Sequence, residues 1–295
     1  MFQKAVDASN GWTRHATWFI LLLAGAIVLQ VVKDSTASRP EKGRFEKGNF
    51  LDLYTLSLYK AIDVLPEYRQ ATEVQILEGL QAALAAVSAV VASYHNKGDL
   101  NVNSCIMVAE PPSSIPAEQF HQKVRFSYPS NEPRTYTHVL RIVAWGKIGE
   151  DTTSEFYLPV HQDQHQVLFG APKAFVTGDL EHHPNTRAIR EGSKEIADQP
   201  RVVKNEIVSY FRTAKFRSFV SMRVPVGDHS HSVLSIHSNK THVFGIDEVT
   251  EQEIEKYVRP FAAVISCILQ ELVRVHQQAE ETQPSKRKRG QGNAH

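Results

Sequence analysis

The sequence predicts an α+β protein. An N-terminal transmembrane helix is followed by one domain whose antiparallel sheet is flanked by N- and C-terminal helices. Three observations predict it. The run Ala16–Val32 (ATWFILLLAGAIVLQVV) carries no charge. Two apolar stripes recur at helical heptad spacing, Leu77 to Tyr94 and Val258 to Val275. Between them lie segments rich in β-branched and aromatic residues, bounded by turn formers. Strands gathered between helices, without strict alternation, fit an α+β arrangement.

The N-terminal 1–15 is a short polar segment. As a helix, Ala16–Val32 would be about 25 Å long, slightly under the ~30 Å of a hydrocarbon core. Trp12 and Trp18 sit at the level of an interfacial aromatic belt, and Lys33 can snorkel from the other end. A membrane anchor is preferred to a cleaved secretory signal. Ser35-Thr36-Ala37 has a small-x-small look, but the leading segment is long and weakly basic, and Lys33 and Asp34 intervene. A buried soluble helix would normally show a polar face. Basic residues outnumber those before the run once Lys33, Arg39, Lys42, Arg44 and Lys47 are counted after it. The positive-inside rule therefore places the C-terminal domain in the cytoplasm of a single-pass membrane protein. Ala24-Gly25-Ala26 would permit close helix contact within the bilayer.

Residues 33–48, with Pro40, Gly43 and Gly48, are expected to be a juxtamembrane linker. A connecting helix is expected within 49–70, from a cap at Asn49 to the break at Pro66. The domain then spans 71–277. Thr72 is placed to cap a helix carrying Leu77, Leu80, Leu84, Val87, Val91 and Tyr94, with Gly98 just past its end. The second stripe is Val258, Phe261, Ile265, Ile268, Leu272 and Val275, with Pro260 marking a start or a kink. Such stripes can pair with each other, pack on the domain's own sheet, or join two copies of the chain. Their regular period favours a homodimer seam. Residues 278–295, with Lys286-Arg287-Lys288-Arg289, form a basic tail expected to be disordered.

Val102–Val108 and Tyr136–Trp145 are strand candidates, separated by the Pro-bearing loops Pro111–Pro116 and Pro129–Pro133. Glu155–Pro159 and Gln166–Phe169 are ambiguous. Ser218–Pro225, the Gly227-Asp228 turn and Ser232–His237 form a hairpin pattern, followed by a helix from about Asp247.

This last third resembles the end of a GAF domain. The residues that carry the resemblance are Val224-Pro225-Val226, Val233-Leu234-Ser235-Ile236-His237-Ser238 and Phe244. Val167-Leu168-Phe169-Gly170 and Ala174-Phe175-Val176-Thr177-Gly178-Asp179 resemble the passage before that family's pocket. Ser232 stands where the family usually has glycine, and Phe244 to Asp247 is one residue shorter than in its cyclic-nucleotide members. The resemblance, over about 70–277, implies a six-stranded antiparallel sheet, a small-molecule pocket on one face and dimerisation through the terminal helices. It implies a ligand pocket drawn from Phe169, Phe175, Asp179, Arg187, Arg190, Ser221 and Arg223, covered by about 165–215. It also implies a structural ion pair between Lys240 and Asp247.

No phosphate-binding glycine loop, GxSxG, HExxH or CxxC motif occurs, so no enzyme activity is expected. A net charge of +1 argues against nucleic acid as a partner. The 2 cysteines, Cys105 and Cys267, are expected to be buried reduced thiols rather than a disulfide framework. His229, His231, His237 and His242 cluster in the hairpin region, and His182-His183 precedes Pro184. Neither set has an evident third ligand, so polar turns are preferred to a metal site, and no cofactor is expected. Glu191 and Glu195 interleave with Arg187, Arg190 and Lys194, which favours a solvated helix face over a phosphate contact.

The expectation is a membrane-anchored sensory or regulatory protein. Its cytoplasmic GAF-like domain would bind a small molecule or protein partner and signal through a dimeric helical connector. A membrane effector triggered by a nucleotide-like signal and a ligand-free dimeric scaffold are the alternatives.

Overall fold

The computed structural model describes residues 52–59, 62, 71–95, 100–128, 135–146, 157–192, 196–227, 230–245 and 248–282. The span Ala16–Val32, the linker 33–48 and residues 283–295 lie outside the described residues.

Residues 52–59 are helical (α1), within the connecting helix the sequence suggests. α2 runs Glu73–His95. Its start is a capping box: the Gln75 N–H donates to Thr72 Oγ1 at 3.4 Å, and the Thr72 N–H donates to Gln75 Oε1 at 2.9 Å. β1 (Val102–Glu110), β2 (Tyr136–Trp145) and β3 (Tyr157–His161) follow. Next come α3 (Ala171–Thr177), β4 (Glu181–His183) and α4 (Arg201–Thr213). β5 (Ser218–Val226), β6 (Ser230–Ser238) and α5 (Glu248–Thr282) complete the order. The sheet order is β3-β2-β1-β6-β5-β4, every neighbouring pair antiparallel. This six-stranded sheet between helices fits a GAF-like α+β fold.

Some elements depart from the sequence expectation. His182-His183 is not in a loop but in the edge strand β4, where His183 stacks on Phe219 at 4.7 Å. Gln166–Phe169 forms no strand; a short 3-10 turn occupies Gln164–Gln166. α5 starts at Glu248, as the expected helix from about Asp247 implies, and passes through Pro260 rather than starting there. It also extends to Thr282, so residues 278–282 belong to the helix rather than to the tail. α3 and α4 were not legible in advance.

One sheet face packs on α2 and α5. Leu80, Leu84, Val87 and Val91 meet Val258, Phe261, Ile265, Ile268 and Leu272, over Ile106, Val224, Leu234 and Ile236 of the sheet. Leu77 is partly buried at the margin of this cluster. Both heptad stripes thus lie in the core of a single chain, and a second copy is not needed to bury them. By length and composition α2 is the one described helix apolar enough to cross a membrane, but its stripe is occupied by the sheet and α5. Tyr54 of α1 is fully buried and sits edge-on to Tyr257 and Phe261, each at 5.8 Å.

The α2 backbone comes close to the sheet at Gly146. The Gly146 N–H donates to Ser104 O at 2.7 Å, and Ser104 Oγ donates to Leu84 O at 2.6 Å. A Cβ on Gly146 would lie 2.7 Å from Ser104 Oγ and 2.8 Å from the Leu84 carbonyl carbon and oxygen. The Leu84 backbone cannot move aside, and the Ser104 hydroxyl is held by its bond to the Leu84 carbonyl oxygen. Gly146→Ala is expected to destabilise by about 1–3 kcal/mol, the range for overpacking a closed site. A lowered urea midpoint with an unchanged slope is the readout.

A candidate ligand cavity on the second face of the sheet

Strand alternation decides which side chains leave the helix-packed face. Asn103, Cys105 and Met107 of β1 point to the second face, as do Phe219 and Ser221 of β5 and Ser235 and His237 of β6. β2 breaks its alternation. Cys105 pairs with Trp145, Ile106 with Ala144 and Met107 with Ile142, so Val143 is an extra residue, a β-bulge. The bulge puts Ile142 and Trp145 on the same face, beside Asn103 and Met107.

α4 covers this face at a distance. It is amphipathic, with Val203, Ile207 and Phe211 buried in a cluster with Leu168, Ile189 and Phe219. Between α4, the segment Leu168–Pro172 and the sheet lies a cavity of about 480 Å3. That is within the roughly 300–1,000 Å3 typical of small-molecule sites. Gly170 (φ 74°) lets the chain turn into α3 there, and a Cβ would meet the Phe219 ring at 3.0 Å.

The walls are aromatic. Phe216 lies 4.9 Å from the His237 ring, Phe219 6.2 Å and Trp145 6.3 Å. Phe211 stacks on Phe219 at 6.1 Å, and Phe169 lies 6.3 Å from Phe219. Polar groups are few. Ser221 Oγ and Ser235 Oγ hydrogen-bond to each other at 2.7 Å and are buried. Asn239 Oδ1 accepts from the Asn101 N–H at 2.9 Å, tying β6 to the start of β1. Lys215 is exposed at the rim. No aspartate or glutamate is among the described lining residues.

Burial pushes the His237 imidazole down to about 4, so it is neutral at pH 7. Burial pushes the Cys105 thiol up to about 12 and the Cys267 thiol up as well, which keeps both free cysteines protonated. The Tyr210 hydroxyl rises to about 12 for the same reason, with Cys105 adding to the shift. These groups present neutral hydrogen-bonding atoms, not a nucleophile.

Of the seven pocket residues suggested by sequence, Phe169 and Ser221 line the cavity. Phe175 packs instead between His138 and His231, at 5.2 and 6.3 Å. Arg223 runs across the C-terminus of α3, where its guanidinium occupies the place a Gly178 side chain would need. Asp179 is exposed just past α3, its N–H donating to Thr177 Oγ1 at 3.1 Å. Arg187 is exposed and donates to Glu191 Oε1 at 2.7 Å, the i,i+4 pairing of a solvated face. Arg190 contacts Thr186 Oγ1 at 3.5 Å. None of these five belongs to the lining. Lys240 follows β6, its N–H donating to Ser238 Oγ at 3.1 Å, while Asp247 lies outside the described residues. His231 is in β6 and His242 adopts φ 60°, its N–H donating to Pro184 O at 2.7 Å. Sequence reasoning missed Asn103, Trp145, Tyr210, Phe211 and Phe216. The spacing Val203, Ile207, Phe211 was the available signal for α4.

No family model matches the chain, and no curated protein matches it. Among solved structures, it is similar to the GAF domain of the Acinetobacter phosphoenolpyruvate-protein phosphotransferase. The identity is 9% and the TM-score 0.40, over 77% of this chain and 97% of that one. It is also similar to the A. aeolicus nlh2 GAF domain in an inactive state. There the identity is 13% and the TM-score 0.35, over 76% and 99%.

Proposed function

We propose that this chain is a membrane-anchored sensory protein whose GAF-like domain binds a small molecule in the cavity beneath α4. The observation that carries the reading is the cavity itself. About 480 Å3 of space is left open on a sheet face that the same chain covers with a helix and closes with aromatic walls. Folding alone would favour filling it, because empty apolar volume forfeits packing energy. We read the role as regulatory rather than enzymatic: the described lining holds no carboxylate, and its buried histidine is neutral.

A change at β5 and β6 reaches the terminal helices by short steps. Ser266 Oγ of α5 donates to Pro225 O of β5 at 2.5 Å. α5 packs on α2, and Tyr54 of α1 rests on Tyr257 and Phe261. α1 precedes α2 and follows the uncharged run Ala16–Val32, which supports anchoring with the domain in the cytoplasm. In a homodimer the exposed surfaces of these helices would form the contact, with the heptad stripes kept for the core.

The test uses the full-length protein. Membranes washed with alkaline carbonate should retain it, and deletion of 16–32 should release it. In a melting assay with nucleotides and metabolites, a true ligand at about 100 times its Kd adds about 2.7 kcal/mol. A panel that leaves melting unchanged, with Phe219→Ala as the control, would remove the sensing role and favour the scaffold.

A further inference from the structure

Two polar side chains face each other inside this aromatic cavity. Asn103 of β1 and His237 of β6 are direct cross-strand partners and both line it. Side chains so placed have Cβ atoms about 4.5–5.5 Å apart. Among the described residues no hydrogen bond reaches the Asn103 amide or a His237 ring nitrogen, and both residues are half-buried. A bound ligand can supply the partners that such groups normally have inside a protein. Lys215 is the one cation of the lining, and no ion pair holds it among the described residues.

Resting on the ligand-binding reading above, we infer that the cavity selects a planar aromatic monoanion. Its ring system lies against the wall formed by Phe216, Phe219 and Trp145, its hydroxyl or keto edge meets Asn103 and His237, and its carboxylate faces Lys215. Each part follows from a different observation. Phe216, Phe219 and Trp145, packed around His237, all line the cavity, and such aromatic walls favour a guest with π faces. An amide and a neutral imidazole both donate and accept, which suits a hydroxyl or carbonyl but not a full charge. A single ammonium at the rim balances one negative charge, whereas a phosphate normally draws several charge-assisted donors. Amines find no lining carboxylate to pair with.

Four compounds separate these elements: 6-hydroxy-2-naphthoate, 2-naphthoate, 2-naphthol and a cyclic mononucleotide. They are titrated by calorimetry against the full-length protein in phosphatidylcholine nanodiscs, with empty nanodiscs as the blank. 6-Hydroxy-2-naphthoate is expected to bind about tenfold tighter than 2-naphthoate, and about tenfold tighter than 2-naphthol. Asn103→Leu should erase the first difference and leave the second. Lys215→Met should do the reverse. The wild-type series alone decides the matter if a variant fails to fold. Equal binding of all three naphthalenes overturns the inference and leaves the ligand-binding reading standing. Binding of the cyclic mononucleotide alone does the same. Absence of saturable binding by all four overturns the inference, and the wider melting panel then decides the reading beneath it.

Discussion

Leu84→Asp is expected to abolish cooperative folding of the domain rather than merely separate two copies of the chain. Leu84 is fully buried in α2, amid Val87, Val91, Phe261 and Ile265. Its carbonyl oxygen also accepts from Ser104 Oγ, beside Gly146. Truncation to alanine should cost about 3–5 kcal/mol, the transfer loss plus the cavity left behind. A carboxylate adds the cost of desolvating a charge inside this apolar cluster, several kcal/mol more. A typical domain has only about 5–15 kcal/mol in reserve. Near-UV circular dichroism and urea unfolding of the full-length protein should show loss of the native signal for Leu84→Asp and a lowered midpoint for Leu84→Ala. Ile268→Asp, on the facing stripe, should behave alike. If Leu84→Asp melts like the wild type and only halves the mass seen by light scattering, the stripe serves a second copy and the intrachain packing is wrong.

Acidification should weaken the fold through His237. An unfolded histidine titrates near 6.5, and burial holds the folded one down to about 4. Above about pH 6.5 both states are neutral and the full stability is present. Between about 6.5 and 4 the unfolded chain binds a proton that the folded chain refuses, so stability falls with falling pH. Below about 4 both are protonated and this contribution is flat. The whole drop is about 3 kcal/mol. His138 and His161 are also lowered, chiefly by burial, and act in the same direction. Urea midpoints from pH 7.5 to 4.5 should decline more steeply for the wild type than for His237→Gln. Parallel curves for the two proteins would mean that water or a counter-charge already satisfies the imidazole. A ligand that hydrogen-bonds the neutral ring should steepen the decline, because it lowers still further the pH at which the folded chain takes the proton.

Local pattern was enough for the elements whose signal is local. The heptad stripes of α2 and α5 appear as spacing alone, because helix geometry repeats within a few residues. Thr72-Glu73-Val74-Gln75 announces the start of α2 in four residues, and the structure forms both bonds of that box. β2 was readable across Tyr136–Trp145 from its β-branched and aromatic content. The β5–β6 hairpin was readable from its two runs and Gly227, although both strands reach slightly further than the pattern did. α3 and α4 carried weaker signals. α3 is a helix of 7 residues with Pro172 in its first turn. α4 opens on Arg201 after Pro200, and only its buried Val203, Ile207 and Phe211 repeat at helical intervals.

The amino-acid sequence by itself determined the class of fold, the helical stripes and the uncharged run at the N-terminus, since each depends on neighbours a few residues apart. The tertiary structure alone decided what the stripes touch, and it set them against each other and the sheet of one chain. It alone built the cavity. Antiparallel pairing of β1 with β6 brings Asn103 opposite His237, and one extra residue in β2 turns Trp145 onto their face. Strand register and a bulge are set by contacts between distant segments, so no window of sequence contains them.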